Sequence, residues 1–190
     1  MPVAVVAGVI VLVGLLFALP YNGLVSKEAS ADRAFADLDV QLQRRNDLIP
    51  NLVGAVKGAL NQEQTVFGDL AVARQAYAGA RSLEDKAAAS GQIDAGIGRL
   101  LAIVENYPEL RSNENIRDLQ TQLEGTENRI AQSRRDFNGA VTSYNVAIRR
   151  FPRRIVAGVF GFDRRPLFEA APESTENPTV DLGNSTTTVP

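Results

Sequence analysis

The chain has no histidine, no cysteine and no tryptophan, and a single methionine. Without imidazole there is no Ser-His-Asp or Cys-His machinery and no Glu-x-x-His di-iron site. Without a thiol there is no thiolate nucleophile, disulfide, or cysteine-ligated zinc or iron–sulfur centre. Missing cysteine fits either side of a membrane and says nothing of redox compartment. Neither charge dominates: 20 Lys and Arg stand against 22 Asp and Glu, a formal −2. That removes the electrostatic footprint of a nucleic-acid binder. Aromatics make up only 6% of the 190 residues. A composition so rich in Ala, Leu, Val and Arg suits a helical bundle better than a sheet, and the length fits one domain with appendages.

From Val3 to Leu19 every residue is apolar or glycine, "VAVVAGVIVLVGLLFAL". As a helix this spans roughly 25 Å at about 1.5 Å per residue. Continuing through Pro20, Tyr21, Leu24 and Val25 supplies the rest of a bilayer core about 30 Å thick. Tyr21 then falls where aromatic belts lie. "LFALPYNGL" is a poor cleavage site, so the run reads as an uncleaved transmembrane anchor over residues 1–25, with the lipid bilayer contacted through residues 3–25. Lys27 and Arg33 follow the run closely and no basic residue precedes it. The positive-inside bias therefore leans toward N-terminus out and domain in the cytoplasm.

Residues 26–168 carry helical periodicity. Leu38, Leu42, Ile49, Leu52, Val56, Leu60, Phe67, Leu70 and Tyr77 recur at steps of three, four and seven. The phase carries across Pro50 in "RRNDLIPNLV". That predicts a kink in one continuous rod reaching from about Lys27 to Tyr77, with the carbonyl of Asn46 released by the ring. The competing reading caps a fresh helix with Asp47 and puts Pro50 in its first turn. "GARSLEDKAAASG" signals a loop, with Ser82 and Asp85 spaced as a capping box. A shorter helix follows through Ile93, Ile97, Leu100, Leu101 and Val104 and stops at Tyr107-Pro108. Ser112 and Asn113 are N-cap candidates for the last helix. Its seam, from Ile116 through Leu123, Ile130, Phe137 and Tyr144 to Ile148 and Phe151, is a heptad pattern that demands helical partners and is expected to end at Pro152. The fold class is all-α: an antiparallel up-and-down four-helix bundle with a long kinked first helix.

Several polar groups invite a functional reading. Glu124 and Glu127 share a helix face. Without histidine, the chemistry open to them is an all-oxygen magnesium or calcium site, with Glu105 as a third ligand. The structural reading pairs them with Arg134, Arg135, Arg44 or Arg45 across the bundle. One of Arg44 and Arg45 occupies the seam phase between Leu42 and Ile49, so a half-buried arginine needing a carboxylate is expected. The Arg pair could also bind phosphate head groups. Arg44, Arg45, Asp47, Pro50, Asn51, Glu105, Tyr107, Pro108, Glu124, Glu127, Asn128 and Arg134 form a candidate structural or interaction motif. No catalytic, cofactor-binding or metal residue is assigned.

At the C-terminal end, Arg149, Arg150, Arg153, Arg154, Arg164 and Arg165 bracket an apolar run with Asp163 as the one opposing charge. Two readings stand side by side. The segment is a cap over the open end of the bundle, or a patch that contacts an anionic membrane surface. Residues 169–190 are acidic and rich in Ser, Thr, Pro and Asn, the composition of a disordered tail.

"YNGLV", "DVQLQRRNDLIPNLVGAVKG", "VENYPELRSNENIRDLQTQLEGTENRIAQSRRDFNGAV" and "YNVAIRRFPRRIVAGVFGF" together resemble the LemA family, from about Tyr21 to Phe168 and in the same order. Phe35 stands where that family usually shows tryptophan. The resemblance implies a bacterial membrane protein with an antiparallel four-helix bundle on one N-terminal segment, and no known enzymatic activity. The expectation is a non-enzymatic scaffold or interaction module at the bacterial cell membrane. Its partners would be the bilayer, other proteins or further copies of itself, with no nucleic acid, small-molecule substrate or cofactor. The alternative is a carboxylate-based metal-dependent enzyme.

Overall fold

The computed structural model describes residues 2–57 and 64–169; the side chains of Gln64 and of residues 3, 5, 6, 9–13, 15 and 16 are excepted. Among the described residues every regular element is helical: α1 (Pro2–Lys57), α2 (Gln64–Gly79), α3 (Leu83–Asn106), α4 (Pro108–Arg111), α5 (Glu114–Ala147) and α6 (Arg153–Phe160). The predicted tail, residues 169–190, lies outside the description beyond Glu169.

Helix α1 runs unbroken through both Pro20 and Pro50. The fresh start at Asp47 is not made; Asp47 accepts instead from Gln43 Nε2 at 2.9 Å, one turn back on the same helix. Capping fixes the later helices. Ser82 is extended and its hydroxyl accepts from the N–H of Asp85 at 3.0 Å, opening α3. The loop there is shorter than its composition suggested, because Leu83, Glu84, Lys86 and three alanines favour a helix once Ser82 caps it and outweigh Gly91. Tyr107 is extended before Pro108 and closes α3. Asn113 caps α5, accepting from Asn115 and Ile116.

Cross-helix contacts give the topology. Asp39 meets Tyr77, Asn46 meets Arg74, and Lys57 lies over the ring of Phe67. As one position rises the other falls, so α2 is antiparallel to α1. Lys27 meets Ser143 and Arg45 meets Glu127, which makes α5 antiparallel to α1 as well. Lys86 meets Asp39 and Ser90 meets Arg45, so α3 is parallel to α1 on the diagonal. The four long helices run up, down, up, down.

Two expectations are corrected. The first helix does not reach Tyr77, because Tyr77 touches Asp39; a rod holding both would separate them by roughly 57 Å. The apolar period carried the reading from α1 into α2 because each helix buries one face at the same 3.6-residue repeat, whichever way it runs. Residues 58–63, which join them, lie outside the description. The heptad seam also stops early: α5 ends at Ala147, and Phe151 is 83% exposed. Pro152 offers no N–H to the carbonyl of Ile148 and disfavours helical geometry at Phe151, so the helix is lost a turn ahead of it.

The core has two parts. The larger is built from α1, α2, α3 and α5, with Leu38, Ile49, Leu52, Leu100 and Val141 fully or almost fully buried. The smaller joins Leu24 of α1 to Tyr144, Ala147, Ile148, Val156 and Ala157. Helices α2 and α3 flank only the far part of α1. Near Leu24 their place is taken by α6 and by the extended segment after it. Gly161 ends α6 in a left-handed conformation (φ 74), which its missing Cβ permits.

Among the described residues no helix is long and apolar enough to cross a membrane. Most side chains of the run Val3–Leu19 fall outside that description.

Candidate functional site

Arg45 is the centre of a polar cluster that joins α1, α3 and α5. Its helical phase turns it inward, and it is 3% exposed. From α1 it donates to Glu127 Oε2 on α5 at 2.8 Å and to Ser90 Oγ on α3 at 2.7 Å. The same guanidinium pairs with Asp94, one turn beyond Ser90. A planar fork of five N–H donors serves three acceptors at once, which an ammonium on a single stem would do poorly. The arginine is buried while its carboxylate partners keep 48% and 55% of their side-chain surface. Only one charge is taken fully out of water, and two opposite charges offset it.

Those carboxylates stand at the mouth of a groove of about 560 Å³ between α3 and α5. Its walls include Gly91, Ile97, Gly98 and Leu101 from α3, and Gln120, Leu123, Glu124 and Arg134 from α5; Phe168 is also among its lining residues. The groove exists because glycines face it where larger side chains would fill it. The Asp94 carboxyl is pushed up to about 6 from its ordinary value of 3.8. Burial, which strips water from the charged form, is the main cause, opposed by the Arg45 charge, reinforced by the nearby Glu127 and opposed again by Arg134.

A second cluster lies nearer the start of α1, at Asp39. Tyr77 donates to Asp39 at 2.8 Å and Lys86 pairs with the same carboxylate oxygen at 2.6 Å. Burial, followed by the Asp39 bond and charge, raises the Tyr77 phenol well above its ordinary range. Lys86 also lies over the rings of Phe35 and Tyr77.

A third cluster fastens the segment after α6. Asn145 and Asn138, seven residues apart on α5, each grip a backbone segment. The Asn145 amide receives the N–H of Arg165 and donates to its carbonyl, at 3.0 and 2.9 Å. Asn138 does the same for Phe168, at 2.9 and 3.1 Å. Phe168 is thereby held 3% exposed in the main core. Arg165 pairs with Asp32 and, at 3.4 Å, with Glu28, both on α1.

The sequence-selected residues therefore divide. Arg45, Glu127, Glu124 and Arg134 meet at the groove. Arg44, Asp47, Pro50, Asn51, Pro108 and Asn128 are exposed, and Tyr107 is half-buried at the α3 terminus. Glu105 is not brought to Glu124 and Glu127; it faces Arg111 at 3.9 Å, three turns along α3 from Asp94. Among the described residues no three acidic side chains are gathered closely enough to hold a metal ion, so the trio Glu105, Glu124 and Glu127 is not a ligand set. Arg165 is corrected too: it is spent on Asp32 and Glu28 instead of facing outward.

Ser90, Asp94, Asn138 and Asn145 escaped the sequence reading. Each pair carried a signal: Ser90 and Asp94 are one turn apart beside the seam residue Ile93, and Asn138 and Asn145 sit one heptad apart beside Phe137 and Tyr144. Polar residues repeating next to an apolar seam mark where that seam ties down something polar.

The LemA family pattern matches residues 34–182. Magnetosome protein MamQ of Magnetospirillum gryphiswaldense is 29% identical over 178 residues, covering 80% of this chain and 65% of that protein. Magnetosome proteins MamQ 2 and MamQ 1 of Paramagnetospirillum magneticum match to the same extent. The chain thus spans about two-thirds of the length of these relatives, at 65%. The match covers most of the sequence, and the chain belongs to the LemA family.

Proposed function

We propose that the protein is a single-pass membrane-anchored scaffold or interaction module, without an enzymatic role of its own, whose bundle presents the α3–α5 groove to a protein partner or to another copy. The observation that carries this reading is the continuity of α1, which holds the apolar run Val3–Leu19 and the bundle seam from Leu24 to Val56 in one helix. A helix inserted through that run would place the bundle at a fixed distance from the bilayer, with no joint between anchor and domain. The likeness to proteins described as magnetosome proteins supports a membrane location. Lys27 and Arg33, just past the run, favour a cytoplasmic bundle.

Membrane fractionation tests the anchor. The chain should stay with the membranes through an alkaline carbonate wash and be released by Val11→Lys with Leu15→Lys, since each lysine opposes insertion by about 3 kcal/mol. Release of the unaltered chain by the wash would end the single-pass reading. Orientation is read separately. The chain has no cysteine, so Ser174→Cys gives a clean label site. A membrane-impermeant thiol reagent should leave it unmodified in intact cells.

A further inference from the structure

We infer that α6 and the turn before it lie on the anionic surface of the bilayer that α1 enters, as a second and amphipathic point of attachment. The inference rests on the anchor reading above, and the position of α6 carries it further. The ring of Phe160 packs on Tyr21 with centroids 4.9 Å apart, and Phe162 packs on the same ring at 5.7 Å. Arg153 lies against Gly23, where a built Cβ would stand 3.1 Å from its guanidinium. Val156 and Ala157 close on Leu24. Every one of these α1 residues follows the apolar run within a turn and a half. Leu24, expected to face lipid, is instead covered by Tyr144, Val156 and Ala157. With the run Val3–Leu19 in hydrocarbon, residues 21–24 therefore stand at head-group depth, and α6 stands there with them.

The outer face of this segment is composed for that depth. Phe151 is 83% exposed, Val159 67%, Phe160 55% and Ile155 50%. Ile155 and Val159 are one turn apart on one face. Arg149, Arg150, Arg154 and Arg164 are exposed around them. Among the described residues none of the four forms an ion pair, whereas Arg165 does. Uncovered aromatic and branched side chains ringed by unspent guanidinium groups match an interface of acyl chains beneath phosphate head groups. A cap over the bundle end would need only Val156 and Ala157, and would leave the outer face polar.

The full chain is reconstituted into vesicles of phosphatidylglycerol or of phosphatidylcholine, with a polarity-sensitive thiol probe on one introduced cysteine. Val159→Cys reports α6, Val11→Cys reports the anchor, and Val72→Cys, on the exposed side of α2, reports the bundle surface. The Val159 probe should shift to the blue in phosphatidylglycerol. The shift should shrink in phosphatidylcholine and disappear when Arg149, Arg150, Arg154 and Arg164 are changed to glutamine, while the Val72 probe stays in water throughout. A buried Val11 probe with a Val159 probe as wet as that at Val72 overturns the α6 contact alone. A wet Val11 probe overturns the anchor and the α6 contact together. A Val159 shift equal in both lipids, or unchanged by the glutamines, overturns the anionic-surface claim.

Discussion

Arg45 on α1 and Glu127 on α5 lie 82 residues apart in sequence and 2.8 Å apart in space. The bond sets the register of the two longest helices, and Ser90 and Asp94 extend it to α3.

Replacing that arginine by a hydrophobe of similar length should be costly but survivable. Arg45→Met leaves Asp94 and Glu127 side by side, yet both reach water, so the loss should be about 1–2 kcal/mol, below that of a fully buried orphaned charge. A double-mutant cycle with Glu127→Leu, followed by urea unfolding in detergent, should return a coupling of about 1 kcal/mol. Zero coupling would mean that the pair is decorative.

Asp94 makes stability depend on pH in an unusual direction for a carboxylate. Its folded value, about 6, lies above its ordinary 3.8, so the native state binds the proton more tightly. The stabilising contribution is complete below about 3.8 and is lost as pH rises through about 6. Because the side chain is 48% exposed, solvent screening cuts the effect at neutral pH to the order of 1 kcal/mol. Asp94→Asn should therefore hold or raise the melting temperature at pH 7 and flatten its slope between pH 4 and 6. A steeper slope in the variant would reverse the assignment.

Gly96 and Gly98 of α3 should respond oppositely to alanine. A Cβ on Gly96 would stand 2.6 Å from Cδ2 and 2.8 Å from Cγ of Leu70. Helices α2 and α3 pack closely there, so Gly96→Ala should destabilise by about 1–3 kcal/mol through overpacking. Nothing lies within 4 Å of a Cβ on Gly98, and Gly98→Ala should stabilise by up to about 1 kcal/mol through helix propensity. Chemical denaturation of the two single variants checks the pair.

Pro50 is exposed within an unbroken helix. Pro50→Ala restores an N–H to the ladder and removes the clash with the carbonyl of Asn46, so helicity should hold or rise and stability increase by about 1–3 kcal/mol. A clear loss on circular dichroism and urea unfolding would show that the bundle depends on the local shape Pro50 imposes.

What the sequence alone determined follows from local physics. The period of Leu38, Leu42, Ile49 and Leu52 dictates a helix with one buried face. Ser82 and Asn113 dictate where helices begin, and Tyr107-Pro108 where one stops. These signals act over four or five residues and need no partner to be read. Even an inward arginine was legible, since phase places one of Arg44 and Arg45 between Leu42 and Ile49; that it is Arg45 came from the structure.

Long-range choices were decided only in the tertiary structure. That Arg45 takes Glu127, Ser90 and Asp94 together depends on three helices arriving at one level. That Phe168 turns back into the core depends on α2 and α3 flanking only the far part of α1, which leaves apolar surface for the segment after α6 to cover. The apolar repeat through α1 and α2 looked like one rod because two helices packed on one core each show that period. Periodicity fixes which face a residue occupies; only packing, which weighs every helix against the others at once, fixes what that face meets.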